Sequence, residues 1–249
     1  MRGVRGVGAI AEGRLTYRDF NWPASRIFVL GCGGHGKTTQ LLELLKVEKA
    51  EWFFVFDHKH EIGRRLGKPY VYTLDGIIKS TARGGWVVFD PSVMFPGRKD
   101  DAFAFFCDFV FQFASTTKGR KVVVCDEIQQ RMSKSFLPPE LKLILDDGRQ
   151  FQIDMRAAGQ ASNSIHNEVR HQITEVYAFR HSDRNGVAWL EDNGFDGAEV
   201  QSLKPGEYIW RDLANGESRR GGKAFRIKSA RTSNARPAPA RRDVEKRGG

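Results

Sequence analysis

Eight consecutive residues, Gly31-Cys32-Gly33-Gly34-His35-Gly36-Lys37-Thr38, fit the pattern G-x-x-x-x-G-K-[ST]. Glycines at 31, 33, 34 and 36 let the backbone turn its N–H groups inward as a nest for phosphate oxygens. Lys37 is long enough to reach the β- and γ-phosphates of a nucleotide, and the Thr38 hydroxyl suits a magnesium ion. The preceding RIFVL reads as a strand and the following KTTQLLELLK as a helix, whose partly positive N-terminus would face the same phosphates. The expected nucleotide contacts are therefore Gly31, Gly33, Gly34, His35, Gly36, Lys37, Thr38 and Thr39. The expected ligands are ATP and Mg2+.

A second constellation, Lys121-Val122-Val123-Val124-Cys125-Asp126-Glu127, is an apolar strand ending in two adjacent carboxylates. Asp126 fits a magnesium-holding role together with Thr38. Glu127 is the candidate to orient and deprotonate an attacking water. Taken alone, an Asp-Glu strand end is a weak signal; the glycine-rich loop upstream gives it meaning.

These groups need a scaffold. Short β-rich runs at 27–30, 52–57, 86–90, 122–126, 152–159, 175–180 and 207–211 alternate with helical candidates at 37–46, 100–114, 139–147, 184–193 and 197–202. Several runs (IFVL, WFFVF, WVVF, VVVC) are continuously apolar, as in strands covered on both faces. The predicted fold is α/β, with a mostly parallel central sheet and helices on both faces. Strands at 52–57 and 86–90 lie between the two motifs and leave room for a strand between the loop strand and the acid strand. That insertion, with a Glu beside the Asp, is the mark of RecA-like (ASCE) P-loop NTPases and favours a motor or hydrolytic switch over a small-molecule kinase. The 100–114 helix, with Phe around much of its circumference, is expected to be wedged in the core; a docking surface is the alternative.

The net charge is +10 over 249 residues, but residues 219–249 hold 11 Lys/Arg against 2 Asp/Glu, which leaves residues 1–218 nearly neutral. The expected organisation is a lead-in at 1–25, an ATPase domain at 26–218 and a basic, disordered tail at 219–249. The tail could grip a nucleic-acid backbone, bind an acidic protein surface, or only confer solubility. Cys32, Cys107 and Cys125 have no metal-ligand spacing and point to a reducing setting. The most apolar window, 102–114, is too short to cross a bilayer and contains Asp108, so the chain reads as soluble.

The segment Gly148-Arg149-Gln150-Phe151-Gln152-Ile153-Asp154-Met155-Arg156-Ala157-Ala158-Gly159-Gln160 resembles the FtsK–HerA group of DNA-pumping P-loop ATPases. The likeness continues through Ala161-Ser162-Asn163-Ser164-Ile165, Val176-Tyr177-Ala178-Phe179-Arg180 and Leu203-Lys204-Pro205-Gly206-Glu207-Tyr208. Phe56-Asp57-His58-Lys59-His60-Glu61 looks like the group's acidic motif after its second strand. The resemblance spans roughly residues 26–211. It implies that Gln160 is the polar sensor of the γ-phosphate and Arg149 an arginine finger reaching a neighbouring subunit, with Arg170 and Arg180 as alternatives. Lacking a transmembrane segment, a long N-terminal module and a winged-helix tail, the chain is most similar to the genome-packaging ATPases of tailless icosahedral viruses with internal membranes.

That resemblance implies a homo-oligomeric ring that hydrolyses ATP to move double-stranded DNA into a preformed capsid. Its partners would be capsid or vertex proteins, with contact to an internal viral membrane as a further expectation, and its place the packaging vertex of the virion and the host cytoplasm. Filamentous-phage extrusion, conjugative DNA transfer and a structural vertex role remain alternatives. Candidate pore loops are 130–136, with Arg131 and Lys134, and 58–65, with Lys59, Arg64 and Arg65; ordinary solvated charge is the plain reading of both.

Overall fold

Nine strands form one sheet in the computed structural model, which describes residues 18–160 and 165–222. In chain order they are β1 (Arg26–Leu30), β2 (Trp52–Phe56), β3 (Tyr70–Val71), β4 (Gly85–Phe89), β5 (Lys121–Cys125), β6 (Ile153–Gly159), β7 (Glu175–Ala178), β8 (Glu207–Asp212) and β9 (Ser218–Gly222). Their order across the sheet is β3-β4-β2-β5-β6-β1-β7-β8-β9. Every pairing from β3 to β7 is parallel, and β8 and β9 add an antiparallel edge.

A strand does separate β1 from β5, as the RecA-like reading expects, but it is β6, which follows both motifs. The three strands between β1 and β5 in sequence, β2, β3 and β4, lie beyond β5 instead. Composition could not decide this: both IFVL and VVVC are buried on both faces, so neither carries a preference for one neighbour over another.

The helices are α1 (Lys37–Val47), α2 (Ile62–Leu66), α3 (Leu74–Arg83), α4 (Lys99–Thr116), α5 (Pro139–Asp146), α6 (Asn167–His171), α7 (Arg184–Asp192) and α8 (Gly197–Ser202). They cover both faces. Val29, Val55, Val122, Val124 and Ala158 pack with Leu41, Leu42 and Leu45 of α1. Their strand neighbours Phe28, Phe54, Phe56, Val123 and Ala157 face the opposite way, toward α4 and α5. This alternation is the period-2 geometry of a strand. Helix α4 is wedged as expected: Phe103 meets Phe56 with centroids 5.2 Å apart, Phe113 meets Phe54 at 5.6 Å, and Phe111 meets Phe151, in the 3-10 turn before β6, at 5.3 Å. Among the described residues no helix is long and apolar enough to cross a membrane. The three cysteines are free.

Ordered structure continues on both sides of residues 26–218. Residues 219–222, expected in the tail, complete β9, and Arg220 bridges Glu199 and Glu207, each at 3.1 Å. Residues 18–25, expected as a loose lead-in, are tied to the start of β6: Trp22 Nε1 donates to Asp154 Oδ1 at 3.1 Å and the Ser25 N–H donates to the same oxygen at 2.9 Å. Residues 1–17 and 223–249, the rest of the expected lead-in and tail, lie outside the described residues, as do 161–164 of the family-like run.

A charged network joins the C-terminal end of α1 to the sheet. Arg156, 2% exposed, donates to both carboxylate oxygens of Glu48 at 2.7 and 3.0 Å, and Arg120 bridges Glu48 and Asp154. Burial alone would raise the Glu48 pKa, but hydrogen bonds from Arg156 and the charges of Arg156 and Arg120 outweigh it and hold the carboxyl below its ordinary value. Removing one member of a buried pair strands the other, so Arg156→Met is expected to cost about 3 kcal/mol of stability, read by urea unfolding. Glu48 is depressed in the folded state, so its contribution is present above the ordinary glutamate range and fades as pH falls through the lowered value. The Arg156→Met variant should lose that part of the acid sensitivity.

Candidate nucleotide-binding and catalytic site

Strand β1 delivers the chain into the glycine loop, and two glycine positions there are dictated by backbone conformation. Gly31 has φ 148°, and a Cβ at this position would lie 2.6 Å from the Phe179 Cβ. Gly36, at φ 106°, is the left-handed residue from which α1 starts. The loop is held from three sides: Gly31 N–H donates to Gly159 O at 3.2 Å, Cys32 N–H to Arg180 O at 2.8 Å, and Gly206 N–H to His35 O at 2.9 Å. The His35 ring donates through Nδ1 to Gly33 O at 2.9 Å, so this side chain braces the loop rather than pointing freely outward. Gly33 and Gly34 are exposed, leaving the crown of the loop accessible.

Lys37 is 6% exposed, and its Nζ donates to Cys32 O at 2.9 Å, folded across the loop. Burial lowers its pKa, and the nearby Glu127 and Asp126 pull it partly back. Next in sequence, Thr38 Oγ1 donates to Asp126 Oδ2 at 3.2 Å. The predicted metal pair is thus assembled from residues 88 apart in sequence. Both donors are hard oxygens beside a helix N-terminus, a set that suits Mg2+, which takes one or two protein ligands and shares the rest with phosphates and water. Among the described residues no cluster of three or more His, Cys, Asp or Glu could hold a metal ion unaided. Burial and the charge of Glu127 raise the Asp126 pKa, an imbalance that a cation at this position would relieve. Thr39 accepts from Arg65 Nη2 at 3.0 Å.

Glu127 owes its direction to a strained residue geometry. It has φ 53° and ψ 45°, the left-handed region, and opens a 3-10 turn over Ile128–Gln130. Such a conformation costs of order 1–3 kcal/mol in a non-glycine residue and persists only where its surroundings enforce it. Here the turn throws the Glu127 side chain back over the strand ends. Gln160, just past β6, donates from Nε2 to Glu127 Oε2 at 3.0 Å, and Gln129 donates from Nε2 to the same oxygen. Gln129 also accepts the Gln160 N–H at 3.2 Å, and Gly159 leaves room for it: a Cβ there would come 3.0 Å from Gln129 Oε1. On the far side, Lys59 Nζ lies 3.9 Å from Glu127 Oε1.

Lys37, Thr38, Asp126, Glu127 and Gln160 are therefore brought together at the C-terminal ends of β1, β5 and β6. Arg149 is not among them. It precedes β6, so a strand of seven residues, roughly 20 Å, separates it from the site of its own chain. Its guanidinium donates to the main-chain oxygens of Trp22 at 2.9 Å and Phe20 at 3.3 Å. Of the alternatives, Arg180 is exposed beside the glycine loop of the same chain, and Arg170 sits on α6 next to Asn167.

One expectation for the pore loops is corrected. Arg131 is 6% exposed, paired with Asp100 Oδ1 at 3.1 Å and lying 5.7 Å over the Phe56 ring, because the 3-10 turn after Glu127 folds it inward. It cannot line a channel. Lys134 and Phe136 remain exposed on a turn closed between Ser133 and Phe136. In the 58–65 stretch Lys59, Arg64 and Arg65 are all exposed; Lys59 lies near Glu127 and Arg65 donates to Thr39. The role of Gln129 has little trace in the sequence; its only signal is a position two residues past the acid pair. An open cavity of about 350 Å3 on the β7–β9 face, lined by Glu175, Tyr177, Tyr208, Trp210 and Arg219, includes none of the predicted site residues.

No protein-family model matches the chain, and no curated protein does. Solved structures do. The genome packaging NTPase B204 of Sulfolobus turreted icosahedral virus 2, in complex with AMPPCP, aligns with a TM-score of 0.64 at 16% identity, covering 81% of this chain and 98% of B204. B204 of Sulfolobus turreted icosahedral virus, described as its DNA-packaging ATPase, aligns with a TM-score of 0.61 at 18% identity over 80% of this chain and 97% of B204. The pCW3 conjugation coupling protein TcpA with ATPγS gives a TM-score of 0.51 at 14% identity, over 80% of this chain and 60% of TcpA. At these identities the likeness is one of fold: this chain shares the P-loop NTPase fold of these proteins.

Proposed function

We propose that the chain is a member of the FtsK–HerA group that hydrolyses ATP, assembles as a ring and drives double-stranded DNA into a preformed viral capsid. One observation carries the enzymatic part: Glu127, held by Gln160 and Gln129, stands beside the Thr38–Asp126 pair and Lys37, all at one edge of the sheet. This is the constellation phosphoryl transfer to water needs. The glycine loop and the α1 N-terminus cradle the phosphates, Lys37 moves from Cys32 O onto the terminal ones, and Thr38 with Asp126 would hold Mg2+. The ion, when bound, supplies charge neutralisation on the phosphate oxygens. Glu127 accepts a proton from the attacking water, and Gln160, bonded to the same carboxylate, is placed to register whether the terminal phosphate is present. Products are ADP and inorganic phosphate.

The packaging assignment rests on the fold shared with B204, which is covered almost end to end, whereas TcpA extends well beyond the shared part. The likeness to TcpA keeps conjugative DNA transfer as the second reading. The proposed DNA contacts are the exposed Lys134 turn and residues 223–249, which hold 9 Lys/Arg. Proposed partners are capsid or vertex proteins and an internal viral membrane, with the packaging vertex and host cytoplasm as locations.

The test is ATP turnover by the full chain with and without duplex DNA across a salt series. DNA is expected to stimulate turnover several-fold at low salt, and the effect should fade steeply as salt rises, because each neutralised phosphate releases a counterion. Tight ATP binding with turnover indifferent to DNA at every salt concentration would favour an ATP-ordered structural protein of the vertex instead.

A further inference from the structure

The 57–61 turn carries a lysine that the nucleotide chemistry above does not use. Phe56 is in register with Cys125 in the parallel β2–β5 pair, so the residue three beyond β2 stands beside the residue two beyond β5. Those residues are Lys59 and Glu127, with 3.9 Å between Nζ and Oε1. Among the described residues the two Glu127 oxygens are thereby treated differently. Oε2 takes both amides, from Gln129 and Gln160, and Oε1 has the long contact with Lys59.

The turn that presents Lys59 is built to hold its shape. Asp57, 3% exposed, accepts the Glu61 N–H at 3.0 Å, the Gly63 N–H at 2.8 Å and the Tyr70 hydroxyl at 2.9 Å. His60 adopts the left-handed region at φ 57° and is tied through Nε2 to Asp90, at the end of β4. A strained residue pinned from both sides does not belong to a floppy surface loop. Lys59 itself is partly exposed, with a side chain 38% accessible and therefore free to swing. It is also close enough to Lys37 for its charge to add to the burial that lowers the Lys37 pKa. Two ammonium groups thus converge on one region, from the glycine loop and from the β2 turn.

We propose that Lys59 is a second phosphate-reading lysine: its ammonium stays paired with the Glu127 Oε1 charge until a nucleoside triphosphate binds, then swings over to hydrogen-bond the terminal phosphate. The terminal phosphate carries close to two negative charges against one on the carboxylate, so at equal distance it is the stronger partner. The transfer leaves Oε1 as the open lone pair for the attacking water, while the two amides keep Glu127 aimed through Oε2. A diphosphate does not reach Lys59, so Glu127 stays paired. Lys59 is then a positioning residue for the base as well as a ligand of the third phosphate. This rests on the nucleotide-site reading above.

The experiment titrates a non-hydrolysable ATP analogue and ADP into the full-length wild-type chain, Lys59→Met, Lys59→Arg and Lys37→Ala, with a thermal melt of each. Lys59→Met should weaken the analogue about tenfold while ADP stays within about twofold, the loss of one charge-assisted contact made only by the third phosphate. Lys59→Arg should restore most of the preference. Equal shifts for both nucleotides, or no shift in either, would overturn the role of Lys59. Unchanged binding of both nucleotides to Lys37→Ala would instead overturn the nucleotide site itself. Because the Lys59 side chain is partly exposed, Lys59→Met should melt with the wild type; Lys59→Gln repeats the comparison should the methionine shift the melt.

Discussion

Glu127→Gln is expected to reduce ATP turnover by about 10^2- to 10^4-fold, the usual contribution of a positioned general base, while leaving nucleotide affinity close to wild type. The substitution is nearly isosteric, and its amide oxygen can still accept from Gln129 and Gln160, so the strained turn at φ 53° should survive. What disappears is the ability to take a proton from water. The expected pattern is therefore a fall in kcat with a binding constant that does not move, which assigns the loss to the transition state. Single-turnover kinetics with tight-binding ATP analogues as reference would measure both. Turnover within tenfold of wild type would remove Glu127 from the mechanism and reopen the question of which carboxylate activates the water.

Arg149→Ala should cost about 10^3-fold or more in turnover if this guanidinium completes a neighbour's site, the range associated with arginine fingers. Its position explains why it could act only across an interface: the whole of β6 lies between it and its own glycine loop. The carbonyls of Phe20 and Trp22 hold the guanidinium on the surface and set its direction. The decisive measurement is a mixture. Arg149→Ala and Glu127→Gln chains are each expected to be inactive alone, but the proposed ring, if mixed, would contain sites with an intact Glu127 facing an intact Arg149. Partial recovery of turnover on mixing is expected, and its absence, with both variants folded and oligomeric, would move the finger to Arg170 or Arg180. Arg149→Lys should not restore activity, because an ammonium lacks the planar fork. A melt of Arg149→Ala separates this effect from any loosening of residues 18–25.

Local chemistry is legible in contiguous residues. The glycine loop needs only eight adjacent residues to define a phosphate nest, and the VVVC-Asp-Glu run needs only a buried strand with an acid pair at its exit. Continuous apolar runs announce strands covered on both sides, and the Phe-rich helix announces its burial. Short elements give no comparable signal: α2, β3 and α6 have too few residues to show a period, and α3, though amphipathic, is masked by the turn residues that flank it.

Residue type and spacing alone determined that this chain carries a glycine-rich loop between a strand and a helix, an acid pair at a strand end and a parallel α/β scaffold, because those properties reside in contiguous segments and in hydrophobic periodicity. Which strand separates β1 from β5, the anchoring of residues 18–25 on Asp154, the burial of Arg131 and the meeting of Lys59 with Glu127 were decided only by the tertiary structure. Each depends on pairing between segments far apart in the chain, and strands buried on both faces carry no pattern that names their neighbour.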